Sequence, residues 1–158
     1  MIRLAATLLV AWSLFPCTAR AESPPIDVPD AAKAAAATVD RFFAALSAGN
    51  LDGAAAELDP DVVILESGDA EHSAAEYLGG HAKYDAEFLK AAQQTPGRRT
   101  ARASGDLAWV ASESELQTQQ GGKPLTIAST ETMVLRATEA GWKIVHIHWS
   151  SHTRKQQE

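Results

Sequence analysis

Apolar positions along this chain change their spacing once, from a helical period to a strand period. Val39, Phe42, Phe43 and Leu46 fall at i, i+3, i+4 and i+7, one face of a helix. Asp30 suits an N-cap and Gly49-Asn50 a stop, which predicts a first helix from Asp30 through Ala48. Alanines from Ala34 to Ala37 favour that helix without burying much surface. A short second helix is predicted over Asp52 to Leu58, ended by Asp59-Pro60. The unbroken apolar run Val62 to Leu65 then reads as a buried strand, closing at Glu66-Ser67-Gly68.

Ser73 with Glu76 three residues on forms a capping box and predicts a third helix towards Ala92, with a bend at Gly79-Gly80. Tyr77, His81, Tyr84 and Phe88 fall on one stripe of it. From Thr100 the pattern becomes that of strands. Leu107 to Gln119 and Pro124 to Arg136 flank Gly121-Gly122, a tight hairpin signal, and Trp142 to Ser151 forms a last strand after a turn near Ala140-Gly141. Helices followed by a meander of long antiparallel strands make an α+β domain.

The N-terminus departs from this pattern. Arg3, the uncharged run Leu4 to Phe15 and Ala19-Arg20-Ala21 have the three-part layout of a secretory signal, with cleavage expected after Ala21. Cys17 follows Leu14-Phe15-Pro16, a poor lipoprotein site, so simple secretion or periplasmic location is the expectation. Glu22 to Asp30 is expected to be a Pro-rich linker, residues 31–152 the domain and 153–158 a polar tail. Cleavage would leave 137 of the 158 residues, the size of one domain, and would remove the single cysteine and with it any disulfide. The formal charge of −6 becomes about −8 without Arg3 and Arg20. No basic run is present, which argues against nucleic acid and anionic lipid as partners. No stretch is long enough for a membrane span.

Four segments in order carry a family resemblance. Ser47-Ala48-Gly49-Asn50 follows the first helix, Leu65-Glu66 closes the first strand, Ser129-Thr130-Glu131-Thr132 lies in the penultimate strand, and Gly141-Trp142-Lys143-Ile144-Val145-His146-Ile147-His148-Trp149-Ser150-Ser151 forms the last. Over residues 35–152 the chain resembles the nuclear-transport-factor-2-like superfamily of the SnoaL-like type. Its last strand is similar to that of the association domain of calcium/calmodulin-dependent protein kinase II, G-K-W-x-x-V-H-F-H-x-S-G. The resemblance implies a cone-shaped fold, a curved antiparallel sheet wrapped round N-terminal helices with a central pocket. It also implies homodimers. The superfamily holds ketosteroid isomerases, polyketide cyclases and pure association modules, so the fold leaves function open.

Alternation divides the last strand between two faces. A two-residue loop at Gly121-Gly122 pairs Glu113 with Thr130, and a four-residue turn from Thr138 to Gly141 pairs Val134 with Val145. Trp109, Ala111, Glu113, Thr130, Thr132, Val134, Val145, Ile147 and Trp149 then share a face; a slip of one residue would invert the set. The Val145, Ile147 and Trp149 side is assigned to the cone interior. In the kinase association domain the resemblance places a cavity arginine at the Trp149 position and a cavity histidine at His81, so this chain keeps the histidine and lacks the cation. A neutral or cationic ligand is expected.

The expected ligand contacts are Glu66, Tyr77, His81, Tyr84, Glu113 and Trp149. Glu66 or His81 is the candidate catalytic base, because an apolar wall raises a carboxylate pKa and histidine titrates near neutrality. The plain alternative has Glu66 capping its turn and His81 bonding a backbone carbonyl. Trp142, His146, His148 and Glu131 are expected on the outer face at a dimer interface. His146 and His148, with Glu131 opposite His148, could also hold a metal, the weaker reading. No cofactor is called for. The expected function is an exported domain binding a small, largely apolar molecule, with isomerase- or cyclase-type proton transfer as its catalytic version; the alternatives are a homo-oligomeric association module and a periplasmic metal-binding protein.

Overall fold

In a computed structural model of the chain, residues 25–154 are described. The expected signal segment 1–21 and the last four residues of the expected tail lie outside them. A short strand β1, Ile26–Asp27, and a 3-10 turn at Asp30–Ala32 lead into helix α1, Lys33–Ser47. The turn is capped without a side-chain bond, and Asp30 instead pairs with Lys33 at 2.6 Å on the surface. Helix α2 is Leu51–Ala55, capped by Asn50, whose side chain accepts from the Gly53 amide. Strands β2, Leu58–Glu66, and β3, Asp69–Glu71, follow.

The predicted third helix is two helices. Ser73 caps α3, Ala74–Gly79, by accepting from the Glu76 amide; Gly80, at φ −130° and ψ −89°, breaks the path and α4, His81–Ala91, restarts. The break rotates the stripe. α4 buries Ala82 and Ala86, while Tyr84 is 72% exposed. Tyr84 therefore faces solvent, not the pocket.

Strands β4, Gln93–Ser104, β5, Leu107–Gln120, β6, Lys123–Thr138, and β7, Gly141–Thr153, are long. With the three shorter strands they form one curved seven-stranded sheet among the described residues, in the order β1-β4-β5-β6-β7-β2-β3. β1 runs parallel to β4 and β2 parallel to β7; the remaining pairs are antiparallel. Part of the Pro-rich stretch is thus an edge strand, held where Arg102 Nη2 donates to Asp27 Oδ2 at 2.6 Å. An edge position tolerates prolines, which lack an amide donor.

The hairpin at Gly121-Gly122 takes positive φ at both glycines, 59° and 76°, and pairs Glu113 with Thr130. The β6–β7 hairpin starts in the expected register, but a bulge follows: Leu135 faces Ile144, whereas Val134 faces His146. Val145 is the extra residue. Below it Ile147 and Trp149 point inward, as do Trp142 and Ile144 above it. The core fills the space between this inner face and α1, with Phe42, Leu46, Val62, Ile64, Met133, Leu135, Ile144 and Ile147 fully buried.

Candidate functional site

Three local features bring four titratable side chains together at the wide end of β2. Strand alternation turns Glu66 to the inner face, in line with Val62 and Ile64. Ser67 at φ 53° and Gly68 at φ 100° then reverse the chain into β3, which returns Glu71. The break at Gly80 makes His81 the first residue of α4, with Asp85 one turn later on the same side. His81 Nδ1 lies 2.9 Å from Glu71 Oε1; a carboxylate only accepts, so Nδ1–H is the donor. Its Nε2 then faces Glu66 Oε2 at 3.7 Å and Asp85 Oδ1 at 3.8 Å. Tyr77, fully buried, donates from its hydroxyl to Asp85 Oδ2 at 2.8 Å.

Burial raises the pKa of Glu66, and the neighbouring charge of Asp85 raises it further. Burial also raises Asp85, against the hydrogen bond from Tyr77. For His81 burial works against the imidazolium, but the carboxylates of Asp85, Glu71 and Glu66 outweigh it and the pKa ends above its usual value. Tyr77 is pushed up strongly by burial, so it stays a neutral donor. Glu66, Asp85 and His81 therefore each keep a proton to higher pH than the free groups do. The geometry of the cluster leaves Glu66 Oε2 buried with no hydrogen-bond partner.

Glu66 and Asp85 line a cavity of about 110 Å³ between α1, α4 and the inner face of the sheet. Phe43, Leu46, Phe88, Leu116 and Trp149 make its apolar walls. Trp149 is fixed among aromatic rings, 6.4 Å from Phe42 in a stacked arrangement and 6.1 Å from Tyr77. His81 stands behind Glu66 and Asp85. The space is somewhat smaller than the roughly 150 Å³ of an engineered apolar cavity that accepts benzene, which limits it to at most one ring.

The structure thus brings Glu66, Tyr77, His81 and Trp149 together. Tyr77 takes part through its hydrogen bond to Asp85. Glu113 stands elsewhere: it faces out beside Arg98, its side chain 59% exposed. Glu131 faces in, where Trp149 Nε1 donates to its Oε2 at 3.3 Å. Both departures have one cause, the extra residue at Val145, which sets β7 one position out of phase with β5 and β6. Trp142, expected on the outer face, packs against the core for the same reason. His148 is exposed on the outer face, and His146 Nδ1 meets the Val63 carbonyl at 2.8 Å. With Glu131 on the opposite side of the sheet, the ligand set of His146, His148 and Glu131 does not assemble.

Asp85 and Glu71 were not legible as site residues. His81 and Asp85 at i, i+4 was the available signal for the first; only the β2–β3 reversal reveals the second. Glu66, His81 and Asp85 do place three ligand atoms within 4.8 Å of one another. Their separations of 3.7 and 3.8 Å exceed the roughly 3.0–3.4 Å between neighbouring ligands round an ion with bonds of about 2.1 Å, a looser set than a metal cage.

A SnoaL-like domain profile matches residues 35–153. The chain belongs to the SnoaL-like domain family. Among solved structures, this SnoaL-like domain is 36% identical to a Shewanella frigidimarina protein provisionally named a ketosteroid isomerase, over 79% of this chain and 98% of that one, with a TM-score of 0.72. A Xanthomonas campestris protein, provisionally named an association domain of calcium/calmodulin-dependent protein kinase II, is 24% identical over 84% and 96% of the two chains, with a TM-score of 0.65. The kinase II hub of S. rosetta is 24% identical over 79% and 98%, with a TM-score of 0.64. Among curated proteins none matches. At 24% identity to the hub and 17% to a protein provisionally named a dehydratase, the likeness is one of fold alone.

Proposed function

We propose that this SnoaL-like domain binds a small, largely apolar carbonyl compound in its cone and shifts a proton next to the carbonyl, an isomerase-type reaction. Glu66 is the base. Its carboxyl on the wall of an apolar cavity, raised in pKa by burial and with no hydrogen bond to its Oε2, carries the reading. A carboxylate raised by burial is a stronger base, and one that accepts no hydrogen bond has none to break before it acts. The α C–H bond breaks, its proton goes to Glu66 and the electron pair moves into the enolate; Glu66 exchanges that proton with solvent in part and returns one at the γ carbon, or at the α carbon in the reverse step. Asp85, on the same wall and likewise raised, donates a hydrogen bond to the enolate oxygen and keeps its proton. His81, held by Glu71, lowers the pKa of both carboxyls against the effect of burial. The name of the Shewanella frigidimarina relative supports this class of reaction.

The test is conversion of 3-cyclohexen-1-one to 2-cyclohexen-1-one, followed by the absorbance of the conjugated enone and by α-deuterium uptake in D₂O. Turnover above buffer is expected, roughly 100-fold or more lower in Glu66→Gln and unchanged by EDTA. A rate equal to buffer without deuterium uptake, or a Glu66→Gln variant as fast as wild type, overturns it.

A second reading concerns assembly. The outer sheet face exposes Trp109 and Leu65 beside His148, and the hub relatives are named for association. We propose that two copies pair through this face; sedimentation should show a dimer that Trp109→Asp converts to monomer. The leader-like residues before Glu22 support export, which the mass of the secreted chain would test.

A further inference from the structure

The inner face of the sheet carries a second cavity, about 170 Å³, next to the first. Phe43, Gln94, Ser114 and Glu131 wall both. The two are therefore neighbouring stretches of one groove.

Register explains what lines it. Arg99 on β4 faces Ser112 on β5, Ser112 faces Glu131 on β6, Glu131 faces Trp149 on β7, and Trp149 faces Glu66 on β2. Directly paired residues share a face, so these five form one row across the concave surface. Two bulges align it. One is at Val145; the other, at Gly97-Arg98, separates the pairs Pro96–Ser114 and Arg99–Ser112 and turns Arg99 inward. A Cβ at Gly97 would lie 2.8 Å from the Glu113 carbonyl oxygen, so this close approach requires glycine.

The far end of the row is short of acceptors. Arg99 spends its Nη1 on Asp40 at 2.5 Å and its Nη2 on the Ala36 carbonyl at 3.3 Å, while its Nε is buried with no partner. Ser112 Oγ is buried without a close hydrogen bond. Burial raises the Glu131 pKa, against the contact with Ser112 Oγ and the hydrogen bond from Trp149, which lower it. Buried donors left unmade cost free energy that an incoming acceptor recovers. A neutral oxygen fits better than an anion, because Asp40 already neutralises Arg99 and Glu113 lies on the rim.

We propose that the second cavity is a distal subsite for a carbonyl oxygen, so that the groove takes an elongated apolar dicarbonyl with its reacting end at Glu66. The proposal rests on the first cavity being a carbonyl site. Arg99 and Glu66 stand four strand spacings apart, about 19 Å between backbones, and their side chains reach in from both ends. That leaves the length of about two linked rings.

The test compares 4-(4-oxocyclohexyl)cyclohexanone with 4-cyclohexylcyclohexanone, which lacks the distal oxygen, by titration calorimetry on the full chain. Wild type should bind the diketone at least 10-fold more tightly. Ser112→Ala, and separately Arg99→Lys, which keeps a cation for Asp40 and loses the Nε–H, should each cut the preference below 3-fold without weakening the monoketone. Equal binding of the two ketones, no binding of either, or a preference unchanged in both variants overturns the subsite. The two readings fail separately. A diketone preference that persists while Glu66→Gln isomerises 3-cyclohexen-1-one like wild type ends only the catalytic one. Glu66-dependent isomerisation without the preference ends only the subsite.

Discussion

Glu131 and Trp149 face each other across β6 and β7, and the indole Nε1–H donates to the carboxyl Oε2 at 3.3 Å. The pair joins the two cavities, since both residues wall the first and Glu131 also walls the second. Trp149→Phe keeps an aromatic ring beside Phe42 and Tyr77 but removes the donor. A loss of about 1–3 kcal/mol is expected in denaturant unfolding. Burial already raises the Glu131 pKa and the indole bond opposes that rise. Without the bond the pKa rises further. A raised carboxyl contributes stability below its unfolded pKa and loses it as pH climbs through the folded value. The variant should therefore lose more at pH 8 than at pH 5; an equal loss at both would separate Trp149 from the titration of Glu131.

Glu66 and Asp85 both titrate above their ordinary values of 4.5 and 3.8. Their contribution is complete below about pH 4 and is lost as pH rises through the folded values. His81, also raised, has the same sign, with its contribution complete below about 6.5. Glu66→Gln removes a buried charge at high pH and little at low pH. Its melting temperature should exceed wild type by a few degrees at pH 8 and match it at pH 4, read by calorimetry. A lower melting temperature at pH 8 would mean that Glu66 is ionised at a net gain.

Tyr77→Phe removes the hydroxyl that donates to Asp85. The ring is fully buried and unchanged in shape, so the effect isolates the hydrogen bond. A cost of about 1–2 kcal/mol is expected near neutrality. Since Tyr77 lowers the Asp85 pKa, its loss raises that pKa, and the cost should shrink towards pH 4. Urea midpoints across that range would measure it.

Gly97→Ala places a methyl 2.8 Å from the Glu113 carbonyl oxygen, backbone against backbone. Neither strand can yield without disturbing the bulge that turns Arg99 inward. We expect about 1–3 kcal/mol of destabilisation with an unchanged denaturant slope. The same variant should lose the diketone preference, because Arg99 would leave the row. A variant as stable as wild type would show that the β4–β5 bulge relaxes freely.

Much of this architecture lay open in the spacing of residues. The i, i+3, i+4, i+7 set from Val39 to Leu46 is the buried face of α1, Ser73 with Glu76 starts α3, and Gly121-Gly122 makes the long hairpin. The inward turn of Ile147 and Trp149 and the outward turn of His148 also follow from alternation along one strand. These are local properties: periodicity, caps and turn conformations depend on neighbours within a few residues.

What alternation could not supply was the phase between strands. A single unpaired residue at Val145 shifts β7 against β6, and that shift sends Glu113 out, brings Glu131 in and packs Trp142 on the core. Nothing in the local composition marks Val145 as the extra residue, because the bulge answers to curvature over the whole sheet. Two partners of His81 were hidden similarly, since Glu71 and Glu66 reach it by the fold of β2 onto β3, whereas Asp85 lies one turn along the same helix. The chain by itself determined the first helix, the cap of α3, the long hairpin and the facing of Ile147, His148 and Trp149 on the last strand. Only tertiary packing decided which side chains from different strands meet, and so which carboxyls are buried and short of partners.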